Sequence, residues 1–198
     1  MTMNWRQLGL TGVPGVGKTT LMRKIAQYLD EKEPSVRWCG FLTEEQKDWQ
    51  SKRGRTGFEI VTFPKGNRYT LASCDESRGS TRNGKYPKVG KYFVHVESVD
   101  QCTRELRDAM IEIKPQLLFI DEIGKMELLS KDFIEFISAE VLDRKKATVF
   151  TIAQKCNHKL TDAFKSNEDV QIAIVTKDNR DSIFQDQIIP FLNQNFGG

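Results

Sequence analysis

The chain of 198 residues is poor in cysteine and histidine and contains no long apolar run. Only two histidines accompany four scattered cysteines without a Cys-x-x-Cys pair, at Cys39, Cys74, Cys102 and Cys156. We therefore expect neither a zinc site nor a disulfide framework. No stretch approaches the roughly 18 apolar residues of a membrane span, and the first residues lack the apolar core of a secretory signal. We expect no membrane partner and a cytoplasmic location, with a nuclear one as the alternative.

The net charge is also small, at +3 from 30 Lys and Arg against 27 Asp and Glu. A charge this low does not indicate a nucleic-acid surface, so nucleic acid is not expected as a partner. Hydrophobic residues make up 38% and charged residues 29%, which is typical of a folded globular protein. The length suits one domain over residues 1–198, and a monomer is the default expectation.

Short apolar runs alternate with helical patterns along most of the chain. Residues 8–11 and 117–120 are apolar runs too short for helices, whereas Leu21, Met22 and Ile25 recur at helical spacing. This alternation predicts an α/β fold with a mainly parallel sheet and helices on both faces.

Residues 50–97 have a different sequence pattern. Their short alternating runs, broken by Gly66, Asn67 and Gly84, predict an antiparallel β insertion. The insertion is rich in lysine and arginine, which indicates either a positive field that attracts a triphosphate or an acidic partner, or a solvated surface. After it, Ser98 and Gln101 have the spacing of a capping box at a helix start.

Residues 12–19, GVPGVGKT, match the pattern G-x-x-x-x-G-K-[ST] in full and lie between a predicted strand and a predicted helix. In this motif, glycines allow successive backbone N–H groups to face phosphate oxygens, and the helix start adds its positive dipole end. The lysine reaches the β- and γ-phosphates, and the hydroxyl binds Mg²⁺. The motif therefore predicts a nucleotide-binding segment made of Gly12, Val13, Pro14, Gly15, Val16, Gly17, Lys18, Thr19 and Thr20.

A buried strand at residues 117–120 ends in Asp121 and Glu122. Ligands of open α/β sheets bind beyond the carboxyl ends of strands, so both carboxylates should emerge beside the phosphates. We expect Asp121 to hold Mg²⁺ together with Thr19, and Glu122 to orient the attacking water. The nucleotide-binding segment predicted here comprises Leu117, Leu118, Phe119, Ile120, Asp121, Glu122, Ile123 and Gly124.

Two weaker candidates follow strands. Lys125 could neutralise charge on the γ-phosphate in the transition state, or it could be a solvated lysine. Asn179 and Arg180 follow the last predicted strand and could contact the base, or they could simply begin the final helix. Lys18, Glu122 and Lys125 are thus the catalytic candidates.

Six motifs stand in order along the chain: residues 12–19 (GVPGVGKT), 40–45 (GFLTEE), 57–58 (GF), 89–92 (VGKY), 121–128 (DEIGKMEL) and 176–180 (TKDNR). Together they resemble the nucleoside-triphosphatase family of thermophilic prokaryotes and animals, called cancer-related nucleoside-triphosphatase in animals. The resemblance implies a three-layer P-loop NTPase fold in which one strand intervenes between those carrying the phosphate loop and the acidic pair. It also implies slow, magnesium-dependent hydrolysis of ATP, GTP and other nucleoside triphosphates to diphosphates, with broad base specificity.

Other functions remain open at this level. A GTP-binding switch would also show D-x-x-G, as in residues 121–124, but its guanine-reading aspartate would have to replace Asn179. A nucleoside or nucleotide kinase would use the insertion as a lid over a second substrate. A nucleic-acid-binding ATPase module fits least, because the charge is modest and the chain contains no second helicase-like domain.

Overall fold

The computed structural model describes residues 5–48, 54–75, 80–81, 84–143 and 146–196. The α-helices in these residues are α1 (Lys18–Lys32), α2 (Val96–Glu112), α3 (Lys131–Ile137), α4 (Lys159–Ser166) and α5 (Ile189–Phe196). The strands are β1 (Gln7–Gly12), β2 (Trp38–Asp48), β3 (Gly54–Phe63), β4 (Arg68–Ser73), β5 (Ser80–Thr81), β6 (Gly84–Lys85), β7 (Lys88–Val89), β8 (Tyr92–Val94), β9 (Leu117–Ile123), β10 (Thr148–Ala153) and β11 (Val170–Ile174). A 3₁₀ turn covers Glu127–Leu129, and π-helical segments cover Ser138–Asp143 and Phe184–Ile188.

Nine of these strands form one sheet in the order β11-β1-β10-β9-β2-β3-β4-β8-β7, and β5 pairs with β6 separately. The pairings among β11, β1, β10, β9 and β2 are parallel, whereas those from β2 to β3 and onward are antiparallel. β10 lies between β1, which leads into the phosphate loop, and β9, which ends in the acidic pair. The intervening strand and the mixed α/β sheet are therefore confirmed.

Helices cover both faces of the sheet, because the central strand β9 is apolar on both sides. Leu118 and Ile120 join a buried cluster with residues of α2, α3 and α4. Leu117 and Phe119 point the other way and join a second cluster with residues of α1 and α5. Each strand residue alternates between faces, so both clusters draw on the same short segment. The result is the predicted three-layer arrangement.

The antiparallel region confirms the predicted insertion, with shifted boundaries. It runs from β3 to β8, where β3, β4, β8 and β7 extend the parallel sheet and β5 and β6 form a separate pair. The predicted capping box is wrong, because α2 begins at Val96 with His95 as its N-cap, which places Ser98 inside the first turn. Helix α4 was not predicted, since its eight residues bury only Leu160, Thr161 and Phe164. Four basic residues of the insertion lie outside the described residues: Lys52, Arg53, Arg78 and Arg82.

Among the described residues, no helix is both long enough and apolar enough to cross a membrane.

Candidate active site

The loop between β1 and α1 has the backbone conformation that its glycines allow. Gly15 has φ +77° and Gly17 has φ +117°, both in the region that residues with a Cβ rarely adopt. A Cβ built at either position would meet no heavy atom within 4 Å, so conformation and not space requires glycine here. Gly17 is the N-cap of α1 and makes no side-chain capping bond. The first N–H groups of α1 are therefore available to an anion.

Lys18 connects this loop to the acidic strand. Its Nζ donates a hydrogen bond to the carbonyl oxygen of Gly12 at 3.2 Å and lies 3.7 Å from Oε2 of Glu122. Only 10% of the lysine side chain is exposed, against 32% of that of Glu122, so the lysine end of the pair is shielded from bulk water. The predicted meeting of the phosphate loop and the β9 carboxylates is therefore present in the structure.

Asp121 is buried and held by two threonine hydroxyls. The hydroxyl of Thr151 on β10 donates to Oδ1 at 2.5 Å, and that of Thr43 on β2 donates to the Asp121 carbonyl oxygen at 2.5 Å. Burial raises the pKa of Asp121, while interactions with Thr151 and Thr19 oppose the rise. Its other oxygen, Oδ2, is buried without a hydrogen-bond partner among the described residues.

This donor set fits magnesium. Mg²⁺ is usually bound by one or two carboxylates together with waters and substrate phosphate oxygens, not by an all-protein cage. The described residues contain no group of three or more His, Cys, Asp or Glu side chains arranged to hold a metal. The unpartnered Oδ2 of Asp121 and the hydroxyl of Thr19 are the two protein oxygens that the predicted magnesium site would use.

Glu122 and Glu127 converge on Gly124. A Cβ built on Gly124 would lie 2.8 Å from Oε1 of Glu122 and 3.0 Å from Oε2 of Glu127. Burial raises the pKa of both glutamates, that of Glu127 to about 8, and the charge of Glu122 adds to the rise at Glu127. For Glu122, the nearby Lys18 ammonium opposes the shift. Two carboxylates therefore border one glycine. Of the two, Glu122 is the one whose ionised form the Lys18 ammonium stabilises.

These groups share a cavity of about 620 Å³. Of the predicted site residues, it is lined by Gly12, Val13, Pro14, Gly15, Lys18, Thr19, Asp121, Glu122 and Lys125. The structure places other predicted residues elsewhere. Side chains in the hydrophobic core are those of Val16, Leu117, Leu118, Phe119, Ile120 and Ile123. The apolar residues of β9 therefore pack in the core and do not face the cavity.

Asn179 and Arg180 do not line this cavity. The Asn179 side chain accepts a hydrogen bond from the Thr176 backbone N–H at 2.8 Å and donates one to the carbonyl oxygen of Ile174 at 2.8 Å. Its amide thus shapes the turn after β11. The turn lies next to the phosphate loop, because the Val175 N–H donates to the carbonyl oxygen of Thr11 at 2.7 Å.

Sequence reasoning assigned no role to several residues that the fold brings to the site. Thr151 and Thr43 are ordinary strand residues in the sequence, and only strand order places their hydroxyls on Asp121. Glu127 lies in a 3₁₀ turn with no periodic signal. Its position within residues 121–128, the stretch that is most specific to the family resemblance, was the one available signal in the sequence.

Known proteins are similar to this chain over nearly its whole length. Residues 7–188 match the family model described as NTPase. A nucleoside-triphosphatase THEP1 from Natranaerobius thermophilus is 37% identical over 176 residues, covering 88% of this chain and 89% of the relative. Its namesake from Thermotoga maritima is 34% identical, covering 95% and 96%.

Two solved structures are similar as well. The crystal structure of THEP1 from Aquifex aeolicus has a TM-score of 0.69 and 31% identity, over 91% of this chain and 95% of that chain. The solution structure of a human cancer-related nucleoside triphosphatase has a TM-score of 0.72 and 33% identity, over 93% and 96%. The family match over residues 7–188 and the similarity to these relatives show that this chain belongs to the NTPase family.

Proposed function

We propose that this chain hydrolyses nucleoside 5′-triphosphates to the diphosphate and inorganic phosphate, and that the reaction requires Mg²⁺. The observation that carries the proposal is the 3.7 Å approach of Lys18 Nζ to Glu122 Oε2 within one cavity. It brings the group that binds the β- and γ-phosphates beside the group that handles water. The names of the relatives, nucleoside-triphosphatase, agree with this reaction.

Each residue has a task in the proposed reaction. Lys18 and the loop N–H groups bind the phosphates and stabilise charge that develops on the leaving oxygen. Glu122 accepts a hydrogen bond from the attacking water and takes its proton, so that water aligns with the γ-phosphorus. Lys125 lines the same cavity and adds positive charge near the transferred group.

Thr19 and Asp121 would hold Mg²⁺ through the Thr19 hydroxyl and Oδ2 of Asp121. An ion held there would supply positive charge that offsets the charge of the phosphates. The hydrogen bonds from Thr151 and Thr43 hold Asp121 in place and would leave Oδ2 for the ion.

Base specificity is broad in this proposal, covering ATP, GTP, CTP and UTP. The Asn179 amide is bonded to backbone atoms of its own turn. A guanine-reading aspartate is absent at that position, which argues against a GTP-binding switch. We also propose slow turnover. Beyond Lys18, the positive charge in the cavity comes from Lys125, which is exposed, and from its neighbours.

A survey of phosphate release from ATP, GTP, CTP and UTP, with Mg²⁺ or with EDTA, tests the proposal. We expect release from all four, within about one order of magnitude of each other, and its loss in EDTA. A strict requirement for GTP with tight retention of GDP would identify a switch instead. Undiminished release in EDTA would remove the metal from the reaction.

A further inference from the structure

The cavity extends beyond the phosphate loop and the acidic pair. Beyond the acidic pair, it is walled by residues of the antiparallel insertion and of the loop after β9. We name this part the insertion compartment; its walls are Arg55, Phe58, Leu71, Val89 and Met126. In the sheet order, β4 lies three strands beyond β9, on the side away from the phosphate loop. At a strand spacing of about 4.8 Å, the compartment reaches about 14 Å past the acidic pair.

In the proposed reaction the nucleotide itself would not occupy this end. If the γ-phosphorus faces Glu122, the nucleoside must leave the loop on the opposite side. There the turn after β11 lies against the phosphate loop, with Val175 bonded to Thr11. The insertion compartment therefore opens toward the γ-phosphorus, on the side from which an attacking group approaches in line.

The walls of the compartment are mainly apolar. The Phe58 ring stands edge-on to Tyr92, with ring centroids 5.0 Å apart, and Leu71 beside it is fully buried. Met126, a flexible and polarisable side chain, lines the same space. Such walls suit a planar apolar body and give a water molecule few hydrogen-bond partners.

One polar donor in the compartment is unused. The Arg55 guanidinium lies 5.4 Å from the Phe58 ring centroid, and its Nη2 pairs with Oε1 of Glu45. Its Nε is buried and has no hydrogen-bond partner among the described residues. A buried N–H without a partner is costly, so the Arg55 side chain, which lines the cavity, is the group whose hydrogen bonding an acceptor on a ligand would complete.

We infer that the insertion compartment binds a small planar organic molecule with a hydroxyl group and a hydrogen-bond acceptor, and that this hydroxyl replaces water as acceptor of the γ-phosphoryl group. The inference rests on the proposed function, because it uses the same nucleotide and Glu122. The hydroxyl oxygen forms a bond to the γ-phosphorus while its proton passes to the Glu122 carboxylate. The bond from the γ-phosphorus to the bridging oxygen breaks, and its electron pair leaves with the nucleoside diphosphate. Glu122 then returns the proton to solvent.

Two aromatic alcohols serve as probes for this compartment. Para-(hydroxymethyl)benzamide offers a planar ring, a hydroxyl and a carbonyl for Arg55, whereas benzyl alcohol lacks the carbonyl. Saturation-transfer NMR with the full chain, Mg²⁺ and a non-hydrolysable ATP analogue measures their binding. Phosphorus NMR with ATP then measures whether a phosphate ester forms beside inorganic phosphate.

We expect the benzamide to bind more tightly than benzyl alcohol and to yield its phosphate ester. Arg55→Met should weaken benzamide binding by about tenfold, the cost of one lost hydrogen bond, and leave benzyl alcohol little affected. Val89→Trp, at a half-buried position on a two-residue strand, should block both probes by filling the space. The matched control is Ile111→Ala, at an exposed residue of α2, which should change neither binding nor phosphate release.

The outcomes separate this inference from the proposed function. Wild-type protein that releases phosphate from ATP but binds neither probe overturns the inference alone. So does binding that all variants share, or binding that yields only inorganic phosphate. Absence of phosphate release without any probe overturns the proposed function, and the inference falls with it.

Discussion

The hydroxyl of Thr151 donates a 2.5 Å hydrogen bond to Oδ1 of Asp121, from the strand that separates the phosphate loop from the acidic pair. Both side chains are buried, and Oδ1 is thereby occupied while Oδ2 has no hydrogen-bond partner among the described residues. Thr151 is thus a positioning residue for the proposed magnesium site, although it lies in a different strand and would contact neither metal nor nucleotide.

Thr151→Val should weaken metal binding, because it keeps the shape of the side chain and removes the hydroxyl. Losing a residue that orients a metal ligand typically costs about 10- to 100-fold in affinity. Electron paramagnetic resonance titration with Mn²⁺ in the presence of ADP measures this affinity without turnover. Thr151→Ser should restore it, since serine keeps the donor. A variant that loses stability yet binds Mn²⁺ as wild type does would assign Thr151 a purely structural role.

Glu122→Gln should separate nucleotide binding from hydrolysis. The amide keeps the volume of the side chain but cannot accept a proton, and loss of such a group lowers turnover by a factor of about 10² or more. We expect nearly unchanged affinity for a non-hydrolysable ATP analogue by calorimetry and a strongly reduced rate of phosphate release. The matched control is Glu168→Gln at an exposed position before β11, which should behave as wild type. Full turnover in Glu122→Gln would remove this residue from its assigned role.

Gly124→Ala should impair catalysis more than folding. The added Cβ would lie 2.8 Å from Oε1 of Glu122, and the flexible end of that side chain can move away at small cost in stability. The displaced carboxylate would then be misaligned for the water, so the rate of phosphate release should fall by about tenfold or more. Thermal unfolding should change little.

The same substitution in a Glu122→Gln background provides the control. If Gly124→Ala acts through Glu122, it should lower the residual rate hardly at all once that carboxylate is absent. Additive losses would point to a different cause, such as a changed path of the loop after β9.

Glu127→Gln should flatten the dependence of stability on pH. Burial raises the pKa of Glu127 from 4.5 to about 8, so between these values the folded chain holds a proton that the unfolded chain has released. The free energy of unfolding therefore falls as pH rises through this window, by an amount on the order of a few kcal/mol when complete. Glutamine cannot ionise, so the Glu127→Gln variant should not lose free energy of unfolding in this way.

Chemical denaturation of both proteins from pH 5 to pH 8.5 measures the difference. As pH rises, the free energy of unfolding of Glu127→Gln should increase relative to that of the wild type. A gap that stays constant, or one that moves toward the wild type, would contradict the raised pKa of Glu127.

Much of the site could be predicted because its parts are local in sequence. The phosphate loop is a run of consecutive residues whose glycines, lysine and threonine dictate the turn, the helix start and the binding groups. Asp121 and Glu122 follow a buried apolar run, so their place at the strand end needed only the length of that run. The antiparallel insertion was likewise visible from its turn residues. The start of α2 was predicted at Ser98, whereas the helix begins at Val96, directly after His95.

The site residues that were missed depend on contacts between distant strands. Thr151 and Asp121 are 30 positions apart, and their hydrogen bond exists only because β10 lies directly beside β9 in parallel register. The insertion compartment likewise collects side chains from β3, β4, β7 and the loop after β9, which no spacing rule connects.

The amino-acid sequence by itself determined the phosphate loop, the acidic pair and the alternation of strands and helices, because backbone conformation and hydrophobic periodicity act over a few neighbouring residues. Only the tertiary structure decided which threonines orient Asp121, that Glu127 is buried beside Glu122, and that the cavity continues into the insertion. Those relationships follow from strand order and register, which arise when the whole chain buries its apolar surface, and not from any local pattern.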